Sequence, residues 1–417
     1  MSLTRITQFW PWLLPAMMGM ALAQQPSGAK PPDQPQPFLQ RTQADAQTQE
    51  DVTVTVAALR PEDSLAVFGL PLADQGVQPV WVRIENRGAR SWRFMPIFLD
   101  RDYFSPHEVA WMFHAKDAGS AGVRALLAGR AMPRTVAPNS VTSGYVYTNQ
   151  TLGFKVVNVE LVGDHAHLQF DFAHEQPGGR FDFRSLDPER LHPAAQLRNL
   201  TLPELRAALQ ALPCCTTDKP GTHLGDPLNL AMVGSERDLL AALVRSGWDF
   251  TDALGARSTE HMVSAFVLRG RYRNAPVSSL YFEGRAQDFA MQRSRNTVSQ
   301  RNHLRLWMTP LRLDGQPVWV GQISRDIGVR LTDRSPTFTT HAIDPDVDEA
   351  RDYLIEDLLR SGVAQRYGFV GGVGAASADQ PRRNLTGDPY YTDGRRLLVF
   401  PSRQNIPLNE VETLLWD

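Results

Sequence analysis

Asn302-His303-Leu304-Arg305-Leu306-Trp307-Met308-Thr309 and Pro317-Val318-Trp319-Val320-Gly321-Gln322-Ile323-Ser324, separated by a segment containing Asp314-Gly315, decide how the second half of this chain folds. Successive side chains of a strand point to opposite faces, so Leu304, Leu306 and Met308 share one face and His303, Arg305 and Trp307 the other. The first set predicts a core face. Asp-Gly between two such runs is a hairpin signal. Further strands are expected at 228–233, 279–283, 288–292 and 396–400. Two helices complete the pattern. Ser235, with Asp238 three residues on, forms a capping-box signature, and Gly247 is the stop. Asp344 is expected to cap the second helix, with Pro345 at its first position and Gly362 as its end. Val347, Leu354, Ile355, Leu358 and Leu359 supply that helix's apolar face. Residues 226–400 therefore read as an α+β domain, followed by a tail at 401–417.

Upstream, residues 51–178 read as an all-β sandwich. Val52, Val54 and Val56 alternate with Thr53 and Thr55, and Val80, Val82 and Ile84 alternate with Trp81, Arg83 and Glu85. Three more strands are expected at 144–147, 156–162 and 167–172. Period-2 alternation of β-branched and aromatic residues, bounded by turn residues, favours short antiparallel strands. An insertion at 102–129 holds a short helix at 122–127. Residues 179–225 read as a connector, with one helix at 203–212 capped by Thr201 and ended by Pro213. The expected fold class is thus multi-domain, an N-terminal all-β sandwich followed by an α+β domain.

The N-terminal end carries an address. Arg5 precedes an uncharged, mostly apolar run ending in Ala21-Leu22-Ala23, the order of a secretory signal peptide. Residues 1–23 are read as that signal, cleaved before Gln24, and residues 24–50 as a flexible Gln/Pro-rich linker. The alternative is an N-terminal membrane anchor, although Pro11, Pro15 and Gly19 interrupt a run that is short for a span. Residue 24 is Gln, not Cys, so no lipidated terminus is indicated. The expected location is periplasmic or extracellular, with no transmembrane segment after cleavage. A formal charge of −2 gives no basic excess for nucleic acid. At 42% hydrophobic the chain can bury substantial cores.

The second half resembles the C-terminal domain of the LssY family. The likeness is carried by Gly225-Asp226-Pro227-Leu228-Asn229-Leu230, by Ala275-Pro276-Val277-Ser278-Ser279-Leu280-Tyr281, and by Gly284-Arg285 with Gln287-Asp288-Phe289-Ala290. It continues through Asn302-His303-Leu304-Arg305-Leu306-Trp307, Pro317-Val318-Trp319-Val320-Gly321, and His341-Ala342-Ile343-Asp344-Pro345-Asp346-Val347-Asp348. Together these blocks span about 218–400. The resemblance implies an envelope setting near secretion or lipid-handling machinery. It implies no established reaction. Some relatives carry a membrane segment of the lipid-phosphatase type. The ordered Lys…Arg-Pro, Ser-Gly-His and Arg…His…Asp blocks of such phosphatases are missing here, so that activity does not transfer.

Candidate chemistry follows from residue type. His303, Asp326, His341 and Asp344 could gather around a metal or phosphate as a hydrolytic centre. The structural alternative makes Asp344 a cap, with Asp346 and Asp348 meeting the positive end of the helix dipole. Arg285, Asp288, His303, Arg305 and Trp307 could line a ligand pocket, with Arg305 as an anion fork; the alternative is a solvated sheet face. No cofactor is expected, and a divalent metal belongs to the hydrolase alternative. An envelope protein or lipid-related ligand is the expected partner. The adjacent Cys214 and Cys215 could form a vicinal disulfide acting as a redox or rigidity switch, or bridge to another chain, or be two small residues without a special task. His107-Glu108 lacks the second His of a zinc-protease helix, since position 111 is Trp. Gly371-Gly372-Val373-Gly374 lacks the following helix of a nucleotide loop and reads as a turn. The basic run at 293–301 is expected in a loop, able to meet acidic lipid or simply solvated. Binding or scaffolding at the envelope is the leading functional expectation, and hydrolysis the alternative.

Overall fold

The computed structural model describes residues 44–113, 120–151, 154–175, 191–251, 278–294, 301–331 and 339–416. The expected signal peptide, and the linker as far as residue 43, lie outside these residues. The chain is strand-rich, with several sheets and helices.

In the front part, Asp45–Gln49, Val52–Ala58, Val77–Asn86 and Ser140–Asn149 form one antiparallel sheet in that order. Thr135–Val136, Trp92–Phe94, Phe154–Gly163 and Ala166–Glu175 form a second. The two sheets share one core: Val54, Val56, Val82 and Ile84 from the first, with Phe94, Val159, Leu161 and Phe170 from the second, all fully buried. The alternation in the sequence has this cause, since one face of each sheet is apolar. Besides a helix over the expected 122–127, two further helices amend the all-β expectation. Pro61–Phe68, Pro106–Met112 and Ser120–Arg130 cover the other face of the first sheet, where Phe68, Val109 and Leu127 pack on Trp81, Tyr145 and Tyr147. A second correction concerns the linker. Its last residues are a strand, Asp45–Gln49, paired with Val52–Ala58. Gln47 Nε2 donates to the carbonyl of Asp171 at 2.6 Å, and Gln49 Nε2 donates to that of Gln169. These amides stitch the free edge of one sheet to the edge strand of the other.

The rear part is built on a long sheet. Its path runs Asp249–Phe250, Phe289–Ser294, Arg301–Leu313, Gln316–Leu331, Leu230–Val233, Arg396–Pro401, Ala364–Val370 and Glu412–Leu414. The turn between the two longest strands is Asp314-Gly315, both at positive φ (50° and 78°), as an Asp-Gly hairpin turn requires. Helices Glu236–Arg245 and Val347–Arg360 cover one face, burying Leu239, Leu243, Leu354 and Leu358 against Leu304, Leu306 and Met308. Helix Leu202–Ala211 covers part of the other, through Leu205 and Leu209. Thr201 and Glu204 form a capping box at its start. Strand Glu412–Leu414 joins the sheet edge within the expected tail, and Arg198–Leu200 pairs in parallel with Leu311–Leu313.

Arg396 holds the middle of this sheet. Its guanidinium is fully buried and donates to the carbonyls of Leu228 at 2.6 Å, Pro213 at 3.0 Å and Leu209. Asn229, also fully buried, accepts from Ile323 N at 3.0 Å and donates to Ile323 O at 3.1 Å.

Front and rear belong to one compact unit, residues 38–417. They meet at a buried ion pair: Arg245, in the last turn of its helix, lies 3.1 Å from Glu160, with side-chain exposures of 3% and 1%. His167 also bonds Glu160. Removing one member of a buried pair strands the other charge and costs about 3–5 kcal/mol. Arg245→Met and Glu160→Leu should each lower the unfolding free energy read from urea titration by that much. The double variant should recover part of the loss. Single variants with wild-type midpoints would show that this pair does not hold the junction.

Candidate functional site

The polar face of the central hairpin is buried, not solvated. Val318, Val320, Gln322, Ser324 and Asp326 alternate along the strand Gln316–Leu331 and share the face of His303, Arg305 and Trp307 on its neighbour. Register places His303 opposite Ser324 and Gln292, and Arg305 opposite Gln322 and Ala290. His303 Nε2 lies 2.7 Å from Asp326 Oδ2. Arg301 Nε lies 3.6 Å from the same oxygen, and Arg301 also donates to Gln292 Oε1 at 2.7 Å. Arg305 donates to Gln322 Oε1 at 2.7 Å and to the carbonyl of Ser278 at 3.0 Å. Asn384 donates to Asp226 Oδ1 at 2.9 Å.

Burial sets the electrostatics. It pushes the Asp226 carboxyl upward, against the hydrogen bond from Asn384 and the charge of Arg305. It lowers the guanidinium pKa of Arg301 and of Arg305. Burial, then the charges of Arg301 and Arg305, hold His303 well below the ordinary imidazole range. His303 is therefore neutral and donates to Asp326. Arg301 and Arg305 thus face the buried carboxyls of Asp226 and Asp326.

The proposed ligand wall separates from this patch. Arg285 bonds Asp288 at 2.7 Å, and the pair grips the backbone N–H and C=O of one residue of the hairpin strand. Asp288 Oδ2 accepts from Met308 N at 2.6 Å, and Arg285 donates to Met308 O at 2.8 Å. The hairpin register shifts directly after Met308, so these side chains supply hydrogen bonds where the ladder is interrupted. Trp307 is fully buried against Leu228, Leu280, Phe282 and Val320, and its Nε1 donates to Arg285 O at 3.1 Å. In this structure the three residues support the hairpin from inside.

The four catalytic candidates are not all brought together. His303 and Asp326 are paired. Asp344 lies at the approach to the second helix, where its Oδ1 accepts from Asp346 N at 3.1 Å. The cap itself is Asp346, accepting from Asp348 N at 3.2 Å, and the helix begins at Val347. Pro345 stays outside because its carbonyl accepts from Tyr391 N at 2.8 Å. His341 lies in the strand Thr339–Ile343, opposite Val329; its side chain is outside the described set. Among the described residues no group of three or more His, Cys, Asp or Glu is placed to hold a metal ion. The basic run is also internal where it is described: Arg293 pairs with Asp357, and Arg301 is 2% exposed. Glu108 closes a capping box with Ser105.

Cys214 and Cys215 are joined as a vicinal disulfide. Cys214 is half-buried and Cys215 buried, with its sulfur 3.7 Å from Tyr390 Oη.

Residues 206–395 match the family model described as the LssY C-terminus. This part of the chain is an LssY C-terminal-like domain. The matched stretch of the LssY domain begins inside helix Leu202–Ala211 and stops just before Arg396–Pro401, a central strand of its own sheet. No curated protein matches the chain. Sequence reasoning missed Gln292 and Gln322 of the LssY domain on the polar face, and Asp226 on the strand Leu224–Pro227 near Arg305. Alternation from Val318 to Asp326 could have found Gln322.

Neutral His303 has a consequence for stability. Its folded pKa is depressed, so its contribution is fully present above the unfolded value of about 6.5. That contribution fades as pH falls from there toward the folded value, because the unfolded chain binds the proton first. Between about pH 7 and 5, the wild-type urea midpoint should fall more steeply than that of His303→Gln, whose amide can still donate to Asp326. Parallel profiles would contradict a neutral His303.

Proposed function

We propose that this chain is an exported cell-envelope protein with a binding or scaffolding role near secretion or lipid-handling machinery. We place its binding surface in the cleft between front and rear parts. The observation that carries this reading is a cavity of about 830 Å³ at that junction. Its rim includes Ile97, Phe98, Val162 and Leu408, each between 42% and 67% exposed. The rest of its lining is largely polar, with Arg101, Lys155, Asp249 and Arg360 among its charged residues. Concave sites where two parts of a chain meet are common ligand sites. The two facing four-stranded sheets support reading the front part as a β-sandwich that forms one wall. The signal-like leader supports export, with an envelope protein or lipid-related ligand as the occupant.

The hydrolytic reading keeps one favourable observation, the His303–Asp326 pair. Against it stands the use of Asp344 at the helix approach. Stoichiometric metal in the purified protein, lost in His303→Asn, would move the reading to a hydrolase.

Cell fractionation with photo-cross-linking tests the main proposal. The product should begin at Gln24 and occur in the periplasmic fraction. A photoreactive residue replacing Phe98 should give an adduct with an envelope component. Val162→Arg, on the same rim, should reduce that adduct about tenfold, the effect of roughly 1.4 kcal/mol on an equilibrium. Cytosolic product retaining Met1, or an adduct indifferent to Val162→Arg, would overturn the proposal.

A further inference from the structure

We propose that the Cys214–Cys215 disulfide is a reducible redox site, opened by a dithiol that attacks Cys214 Sγ while the Tyr390 hydroxyl steadies the departing Cys215 thiolate. The inference is independent of the cleft.

Three observations carry it. The two sulfurs are joined, yet differ in access: Cys214 is half-buried, and Cys215 is 2% exposed. An incoming thiolate therefore meets Cys214 first, and Cys215 is the leaving group. The sulfur of Cys215 is 3.7 Å from the hydroxyl of Tyr390, itself 1% exposed. Burial, partly countered by Arg382, raises the tyrosine's pKa, so it keeps its proton and can donate to a thiolate. Finally, the backbone around the pair is held without help from the disulfide. Pro213 O accepts from Arg396 at 3.0 Å, Cys214 O from Leu228 N at 2.8 Å, and Cys215 pairs with Pro227. The bond can therefore open while the surrounding chain stays in place.

The reaction balances with a dithiol as the two-electron reductant. Its thiolate forms a mixed disulfide with Cys214, the Cys214–Cys215 bond breaks, and Cys215 departs as a thiolate that takes up a proton. The reductant's second thiol then attacks the mixed disulfide, releasing Cys214 as a thiol and the reductant as its own disulfide. Opening this small ring frees the torsions of the link between helix Leu202–Ala211 and strand Cys215–Thr217.

The test treats the folded mature chain with dithiothreitol, quenches with iodoacetamide at intervals, and locates the label by mass spectrometry while circular dichroism reports the fold. Both cysteines should become labelled with the fold intact, and the mixed disulfide trapped at early times should carry the reductant on Cys214 and the label on Cys215. Tyr390→Phe should slow opening about tenfold, the effect of losing one hydrogen bond to a charged group. Labelling that appears only on global unfolding, or a mixed disulfide with the reductant on Cys215, would overturn the proposal. So would a folded Tyr390→Phe protein opening at the wild-type rate. If Tyr390→Phe does not fold, the position of the reductant adduct in the wild-type chain decides.

Discussion

The guanidinium of Arg396 is the constraint on which the rear sheet depends. It is fully buried and bonded to three backbone carbonyls. One of these, Leu209 O, belongs to the last turn of a helix, where unsatisfied carbonyls form the negative end of the helix dipole. The charge is thereby solvated by peptide oxygens in place of water. Burial lowers its pKa to about 10, which still leaves it protonated at neutral pH. The geometry does more than satisfy a cation. It ties the helix end, the Pro213 turn and the entry to Leu230–Val233 onto a central strand drawn from the far end of the chain. Asn229, next to the carbonyl that Arg396 grips, ties the same entry to Ile323.

The polar face of the hairpin follows the same logic at larger scale. Burying a charge is costly unless it is paired and hydrogen-bonded. Here Arg301 and Arg305 face the carboxyls of Asp226 and Asp326, with Gln292 and Gln322 accepting from the arginines and Asn384 donating to Asp226. Such a set makes a weak case for stability, since hydrophobic residues of equal volume often do as well. It does define which strands are neighbours, because a shifted register would separate Arg305 from Gln322 and His303 from Asp326.

Much of this architecture was legible locally. Leu304, Leu306 and Met308 announced a core face. Asp314-Gly315 announced a turn. Ser235 with Asp238 and Thr201 with Glu204 carried capping signals, and those helices start where expected. The second helix started later than the sequence suggested because a long-range contact from Tyr391 holds Pro345 outside it. The fate of the opposite hairpin face was hidden for a related reason. Period-2 alternation shows that His303, Arg305 and Trp307 share a face, but burial of that face is set by other segments. The roles of Arg285 and Asp288 depended on an interruption of the ladder near Met308 that no local pattern signals. The front helices were partly missed: Ser105-Pro106 with Glu108 is a start signal, whereas Pro61–Phe68 begins at Arg60 with no side-chain cap.

The glutamine stitches on the first strand bear on how the protein behaves in crowded company. An outermost strand normally offers a row of bare amide groups onto which a foreign strand can add. In this chain Gln47 and Gln49 reach carbonyls of the opposing border strand, so part of that row is already answered from within. The border strand Ala166–Glu175 is correspondingly a poorer template for edge-on aggregation, guarded by the glutamines of the strand beside it.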